Sequence, residues 1–143
     1  IVLWEMADPG NAGTVIRTAA AFGFQVLATR GSVDLWAPKV IRSAMGGHFR
    51  TAVIEQVEPK LKALEKAGLM PLATAADGVD IGKVDLSEAS PMAFIIGNEA
   101  HGLPTAITSR ATTVAISMPG GTESLNAGVS AGILMYLRMA NRK

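Results

Sequence analysis

The chain has 143 residues, 49% hydrophobic and 17% charged, which is one domain's worth of sequence with more apolar and fewer charged residues than an average soluble domain. That composition excludes disorder over most of the length, and so large an apolar share in so small a domain points to a subunit interface. The absence of cysteine excludes disulfides, thiolate zinc sites and cysteine nucleophiles and suits a reducing cytoplasm, while a formal charge of only +1 excludes strong nonspecific binding to nucleic acid by this domain alone.

In chain order, Ile1-Val-Leu-Trp4 reads as a buried strand entered abruptly, as though cut from a longer protein. Asp8 to Gly13 reads as a loop, after which Val15, Ile16, Ala19, Ala20 and Phe22 recur at helical spacing until Gly23 stops them. Val26 to Ala28 is a second strand, and Pro38 opens a short helix through Ser43 and Met45. Thr51 to Val57 is a third strand, followed by a charged helix over Pro59 to Ala67 that Gly68 ends. Met70 to Ala73 is a fourth strand, and the acidic, turn-rich stretch from Asp77 to Ser90 belongs at the surface. Met92 to Ile96 is a fifth strand and Thr112 to Met118 a sixth, before a glycine-rich turn and a last helix from about Ser124. There Leu125, Val129, Ile133 and Leu137 form one stripe, and Leu134, Met135 and small residues cover the other faces, which predicts a helix buried almost all round. The alternation implies an α/β fold, a mainly parallel sheet flanked by helices.

Charge is unevenly spread. Residues 10–50 carry five basic residues against one acid, residues 100–143 four against one, and residues 55–99 four against eight. The first and last of these segments are suited to a polyanion. Lys39, Arg42, His48 and Arg50, set among glycines, are the candidate contacts to the phosphates of such a polyanion. The longest apolar stretch, Val129 to Leu137, is far shorter than the roughly 20 residues that span a bilayer, and Glu5 interrupts any signal peptide. With His48 and His101 the only histidines, neither a membrane nor a metal is expected as a partner.

Three motif-like patterns fail on their context. Gly97 to Gly102 has P-loop glycine spacing, but Leu103-Pro104 stands where a lysine and a hydroxyl must hold phosphate and magnesium. Gly128-Val-Ser-Ala-Gly132 matches a nucleophile elbow yet lies inside the last helix with no histidine after it. Asp8 to Gly13 lacks the three-glycine dinucleotide fingerprint. What remains are three clusters, each at the carboxyl end of a predicted strand, where open α/β sheets bind ligands. They are Asn11-x-Gly13-x-x-x-Arg17, the run Ile96-Gly-Asn-Glu-Ala-His-Gly-Leu-Pro104, and the run from Ile116 to Asn126 containing Ser124 and Leu125.

In order and spacing these clusters resemble the three motifs of the SpoU/TrmH family of RNA 2′-O-ribose methyltransferases, within the SPOUT superfamily, over essentially the whole chain. The resemblance implies a C-terminal trefoil knot, S-adenosylmethionine as cofactor, ribosomal or transfer RNA as substrate, and a homodimer packed through the last helix. It implies a cofactor site at Thr74, Gly97, Ile116, Met118, Leu125 and Asn126. The polar members matching the reacting end are Asn11, Arg17, Glu99, Ser124 and Asn126, with His101 as a loop residue lining the site. A guanidinium does not give up its proton, so Arg17 is expected to act electrostatically and also to contact RNA. Asn11 and Ser124 are also good helix N-caps. Many family members carry an N-terminal RNA-recognition domain, so either the protein does without one or this stretch of chain has been separated from it. A noncatalytic knotted scaffold is the alternative reading, disfavoured because no polar motif residue is missing.

Overall fold

The structure is a computed structural model and describes residues 1–58, 61–87 and 91–141. Six strands form one sheet in the order β3-β2-β1-β5-β4-β6. They are β1 (Val2–Leu3), β2 (Val26–Thr29), β3 (Val53–Val57), β4 (Met70–Asp80), β5 (Met92–Ile96) and β6 (Thr112–Ala115). Every neighbouring pair is parallel. The helices are α1 (Pro9–Phe22), α2 (Pro38–Ala44), α3 (Leu61–Lys66), α4 (Thr105–Thr108) and α5 (Ala127–Ala140), with 3-10 turns at Gly47–Phe49 and Ile81–Lys83.

A parallel sheet must be covered on both faces, and the strand alternation shows how. Leu3, Leu72, Phe94, Ile96 and Val114 pack with Ala12, Val15 and Ile16 of α1, Val40 of α2, and Leu134 and Met135 of α5. Val2, Ala73, Ala93 and Ile95 point the other way, to Leu61 of α3 and Ile107 of α4. Successive residues of one strand thus serve opposite layers. Gly13 lets α1 and α2 touch, because a Cβ there would lie 2.4 Å from that of Ser43.

Several expected elements shift. The segment expected as a loop over Asp8 to Gly13 is mostly helix, since Asp8 caps α1 and Pro9 opens it, and a proline at the first helical position with an acid before it outweighs nearby glycines. The fourth strand runs to Asp80 instead of ending at Ala73, with an irregularity in which both Thr74 and Val79 face Val114. The residues between them bulge out of the ladder. Strand β6 ends at Ala115, and α4 was not anticipated. Helix α5 starts at Ala127 with Asn126 as its cap, so Ser124 is not the cap. Its buried face is Gly128, Ala131, Leu134, Met135 and Arg138, not the Leu125/Val129/Ile133/Leu137 stripe, of which Val129 is 50% exposed. Pro59 and Lys60 of the expected third helix, and residues 88–90 of the acidic stretch, lie outside the described residues. Among the described residues no helix is long and apolar enough to cross a membrane.

Candidate active site

The strand order reverses between β1 and β5, which leaves a crevice at their carboxyl ends. The first wall comes from β1 and the start of α1. Asp8 is extended, and its Oδ1 accepts from the Asn11 backbone N–H at 2.7 Å. This cap fixes Asn11 in the first turn with its side chain turned inward and buried. Asn11 Nδ2 donates to Glu99 Oε1 at 3.1 Å, and the backbone N–H groups of Ala7 and Asp8 donate to the two oxygens of the same carboxylate, each at 3.1 Å. Partial burial pushes the Glu99 carboxyl up, but the hydrogen bonds from Asn11, from its own backbone, and from Ala7 and Asp8 outweigh burial and hold it below its ordinary value.

The same Asn11 amide faces the third motif. Its Oδ1 accepts from Asn126 Nδ2 at 2.8 Å, while Asn126 Oδ1 accepts from the N–H groups of Gly128 and Val129 and so caps α5. One chain of hydrogen bonds therefore runs from Glu99 through Asn11 and Asn126 into the first turn of α5. Residues far apart in sequence share it, so each motif fixes the position of the others. The second-motif loop closes on itself by an antiparallel bridge between Asn98 and Gly102. Gly97 cannot carry a side chain there, because a Cβ would lie 2.5 Å from the carbonyl carbon of Gly102. Asn98 Nδ2 also donates to the Glu5 carbonyl at 2.7 Å, which ties the loop to the end of β1.

Two adjoining hollows meet along this surface. The polar one, about 700 Å³, is lined by Asp8, Asn11, Gly97, Asn98, Glu99 and Asn126 among others. The apolar one, about 170 Å³, is lined by Ala75, Ala76, Ile116, Met118 and Leu134 among others. Thr74, Ser124, Leu125 and Ser130 border both. The combined cleft has the size and the mixture of apolar wall and a few convergent polar groups that mark small-molecule sites. Thr74 Oγ1 donates to the Ile95 carbonyl at 3.0 Å and so ties the β4 bulge to β5.

The structure thus gathers Asn11, Glu99, Ser124, Asn126, Thr74, Gly97 and Leu125 around one cleft, with Ile116 and Met118 at its apolar end. Arg17 does not line it: it is exposed, six residues past Asn11 and so about 9 Å further along α1. Lys39, Arg42 and Arg50 are exposed on and after α2. His48 departs from its expected role as an RNA contact. It is 8% exposed, its Nε2 donates to the Leu35 carbonyl at 2.8 Å, and Trp36 lies tilted against its ring. The Leu35 carbonyl and the Trp36 ring hold it inside. Sequence reasoning missed Asp8, Asn98, Ala75, Ala76 and Ser130. For Asp8 a signal existed in the Asp-Pro pair, and for the irregularity after Thr74 in Gly78, where a Cβ would lie 2.6 Å from the Val114 carbonyl carbon.

An open parallel sheet with a cleft at its switch point defines an α/β ligand-binding domain. The chain belongs to the SpoU rRNA Methylase family, whose pattern matches residues 1–136. Among curated relatives, it is 36% identical over 141 residues to the 23S rRNA (guanosine(2553)-2′-O)-methyltransferase RlmP of Bacillus subtilis, covering 95% of this chain and 56% of that protein. The fold superimposes on an AdoMet-bound rRNA methyltransferase from Sinorhizobium meliloti with a TM-score of 0.90 at 29% identity, over 97% of this chain and 54% of that one. It also matches a structure solved for insight into the 2-OH methylation of C/U34 on tRNA, with a TM-score of 0.86 at 28% identity, over 98% and 93% of the two chains. The chain spans about half the length of the first curated relatives it matches.

Proposed function

We propose that this domain transfers a methyl group from S-adenosylmethionine to a ribose 2′-hydroxyl of ribosomal or transfer RNA. The observation that carries the reading is the hydrogen-bonded chain Glu99–Asn11–Asn126, which joins all three family motifs at the rim of one cleft. The cleft fits the cofactor in kind: Ile116, Leu125 and Leu134 offer an apolar wall to an adenine, and the polar hollow offers donors and acceptors to the ribose and the amino-acid end. When bound there, the cofactor supplies an electrophilic methyl on a sulfonium. Thr74, Gly97, Ile116, Met118, Leu125 and Asn126 hold it. Asn11, Glu99, Ser124 and Asn126 organise the end where the acceptor ribose enters, so that the 2′-oxygen lies in line with the methyl group.

Arg17 favours negative charge developing on that oxygen without losing its own proton. Because Arg17 lies outside the cleft of its own chain, a homodimer through α5 would bring it to the neighbouring site. The exposed Val129 and Tyr136 support this, as does the lack of any exposed charge over Ala127–Ala140, where Arg138 is buried. The C-terminal segment is proposed to thread a trefoil knot. In support, β6 lies at the sheet edge while α5 starts beside Asn11 and packs against α1. Lys39, Arg42 and Arg50 contact RNA phosphates in this reading, in the cytoplasm.

The test is incubation of the chain with methyl-labelled S-adenosylmethionine and ribosomal or transfer RNA, followed by alkaline hydrolysis. Label in alkali-resistant dinucleotides, lost in Arg17→Lys, is the expected result, because the lysine keeps charge but not the planar fork. Label in bases, or full activity of Arg17→Lys, contradicts it. In parallel, Val129→Arg is expected to turn a dimer into a monomer by light scattering.

A further inference from the structure

The surface beside the cleft carries an arrangement that the methyl-transfer chemistry does not use. Between Leu35 and Ile54 the sequence holds Lys39, Arg42 and Arg50 and no carboxylate. All three cations are exposed, and among the described residues none of them makes an ion pair. Within this cationic segment stand large apolar side chains in solvent: Phe49 is 88% exposed, Met45 70% and Trp36 48%. The flanking carboxylates are engaged, Asp34 Oδ1 accepting from the Trp36 N–H and Glu55 Oε1 from the Leu35 N–H. The 3-10 turn Gly47–Phe49 explains the exposure, since it turns His48 inward and leaves Phe49 outward.

The segment adjoins the site. Ser43 Oγ donates to the Gly10 carbonyl at 3.1 Å, one residue before Asn11, and Gly47 lies so close to α1 that a Cβ there would be 3.2 Å from the Arg17 Cα. Cations beside an aromatic ring that faces solvent are suited to one kind of polyanion in particular. A paired helix presents phosphates and groove edges, whereas an unpaired nucleotide also presents a flat base that stacks on an aromatic ring.

We propose that Phe49, with Trp36 beside the buried His48, is a base-stacking platform, and that the RNA bound here presents unpaired nucleotides next to the ribose that is methylated. This rests on the RNA reading above and narrows it from RNA in general to loops and other single-stranded segments. A second copy of the chain is the competing occupant. Charge argues against it, because a two-fold interface would set Lys39, Arg42 and Arg50 against their own copies. The uncharged outer face of α5 has no such conflict.

The experiment compares two labelled RNAs, a hairpin with an unpaired loop and the same stem as a blunt duplex, binding to the 143-residue chain by fluorescence anisotropy across a salt series. Phe49→Ala is expected to weaken hairpin binding about tenfold, the scale of one lost base–aromatic stack. Duplex binding and the salt slope stay unchanged, and Phe49→Trp restores the loss. Arg42→Ala is expected to weaken both RNAs and reduce the salt slope by about one. Sedimentation of Phe49→Ala matches that of the wild type. Unchanged hairpin binding by Phe49→Ala, or equal losses on hairpin and duplex, overturns the platform while leaving the RNA reading intact. A shift from dimer to monomer assigns Phe49 to a second copy and also overturns it. Wild-type protein that binds neither RNA even at low salt and about 100 μM protein, where weak electrostatic binding is still read out, overturns the RNA reading itself, and the platform with it.

Discussion

Replacing Asn11 separates the two roles of its amide, as donor to Glu99 and acceptor from Asn126. In Asn11→Ala both bonds go, the one at 3.1 Å to a carboxylate and the one at 2.8 Å to an amide. A bond to a charged group contributes about 1.5–3 kcal/mol and a neutral one about 1 kcal/mol. Because Glu99 faces solvent, the lower values apply, and the expected loss is about 2–3 kcal/mol, or about 10 °C in melting temperature for a domain of this size. Asn11→Asp keeps the shape and the acceptor but sets a second carboxylate against Glu99. At the 3.1 Å of the present bond two unit charges repel by about 1 kcal/mol in water and about 5 at an effective dielectric of 20, with solvent favouring the lower figure. At neutral pH the aspartate variant is therefore at least as destabilised as the alanine variant. The two diverge in acid, because like charges so close raise one carboxyl's pKa. Once that proton is on, an O–H donor again faces Glu99. Urea unfolding of both variants and the wild type at about pH 7 and about pH 4.5 reads this out. The deficit of the aspartate variant should shrink in acid, and by more than that of the alanine variant, which shrinks only by the part of the Glu99 pKa lowering that Asn11 supplies. Equal, pH-independent deficits, or an alanine variant within about 0.5 kcal/mol of wild type, would falsify the relay.

Other outcomes follow from the same geometry. Gly97→Ala should destabilise by about 1–3 kcal/mol and abolish cofactor binding, since the added carbon would lie 2.5 Å from the Gly102 backbone, which cannot swing aside as a flexible side chain does; calorimetry on the folded variant checks it. Glu99, with its folded pKa lowered, contributes stability that is present above the ordinary carboxylate range and is lost as pH falls through the lowered value. Glu99→Gln should therefore be less stable than wild type at neutral pH and lose less on acidification, as thermal melts across the range would show. The Asp80 carboxyl is held low by the Ser117 hydroxyl and then by the Gly82 N–H. Ser117→Ala should move it back toward the ordinary aspartate value in an NMR titration.

Much of this was legible because the fold's strongest signals are local. The buried strands at Ile1-Val-Leu, Val26-Leu-Ala and Met92-Ala-Phe-Ile-Ile are apolar on both faces, as a covered parallel sheet requires, and the motif residues lie just past such strands. Illegible features depended on partners distant in sequence. Ser124 and Asn126 are both capping types, and only the contact with Asn11 decides for Asn126. The length of β4 is fixed by Val79 and Asp80 returning to pair with Val114 and Ala115, so the local acidic, turn-rich composition misleads. His48 reads as a surface cation until Leu35 supplies its acceptor. The α5 stripe is apolar at helical spacing, yet the helix turns smaller Gly128 and Ala131 inward, toward close contact with α1 and the core.

The central claim is that the cleft built by Thr74, the Gly97–Gly102 loop and the Ile116–Asn126 segment holds S-adenosylmethionine. The most direct measurement is a titration of the nitrogen-15-labelled chain with S-adenosylhomocysteine, followed by amide chemical shifts. Saturable changes concentrated at residues 74–76, 97–102 and 116–128, with α3 and α4 undisturbed, are predicted. Saturable shifts confined to any other surface, or none at saturating ligand, contradict it.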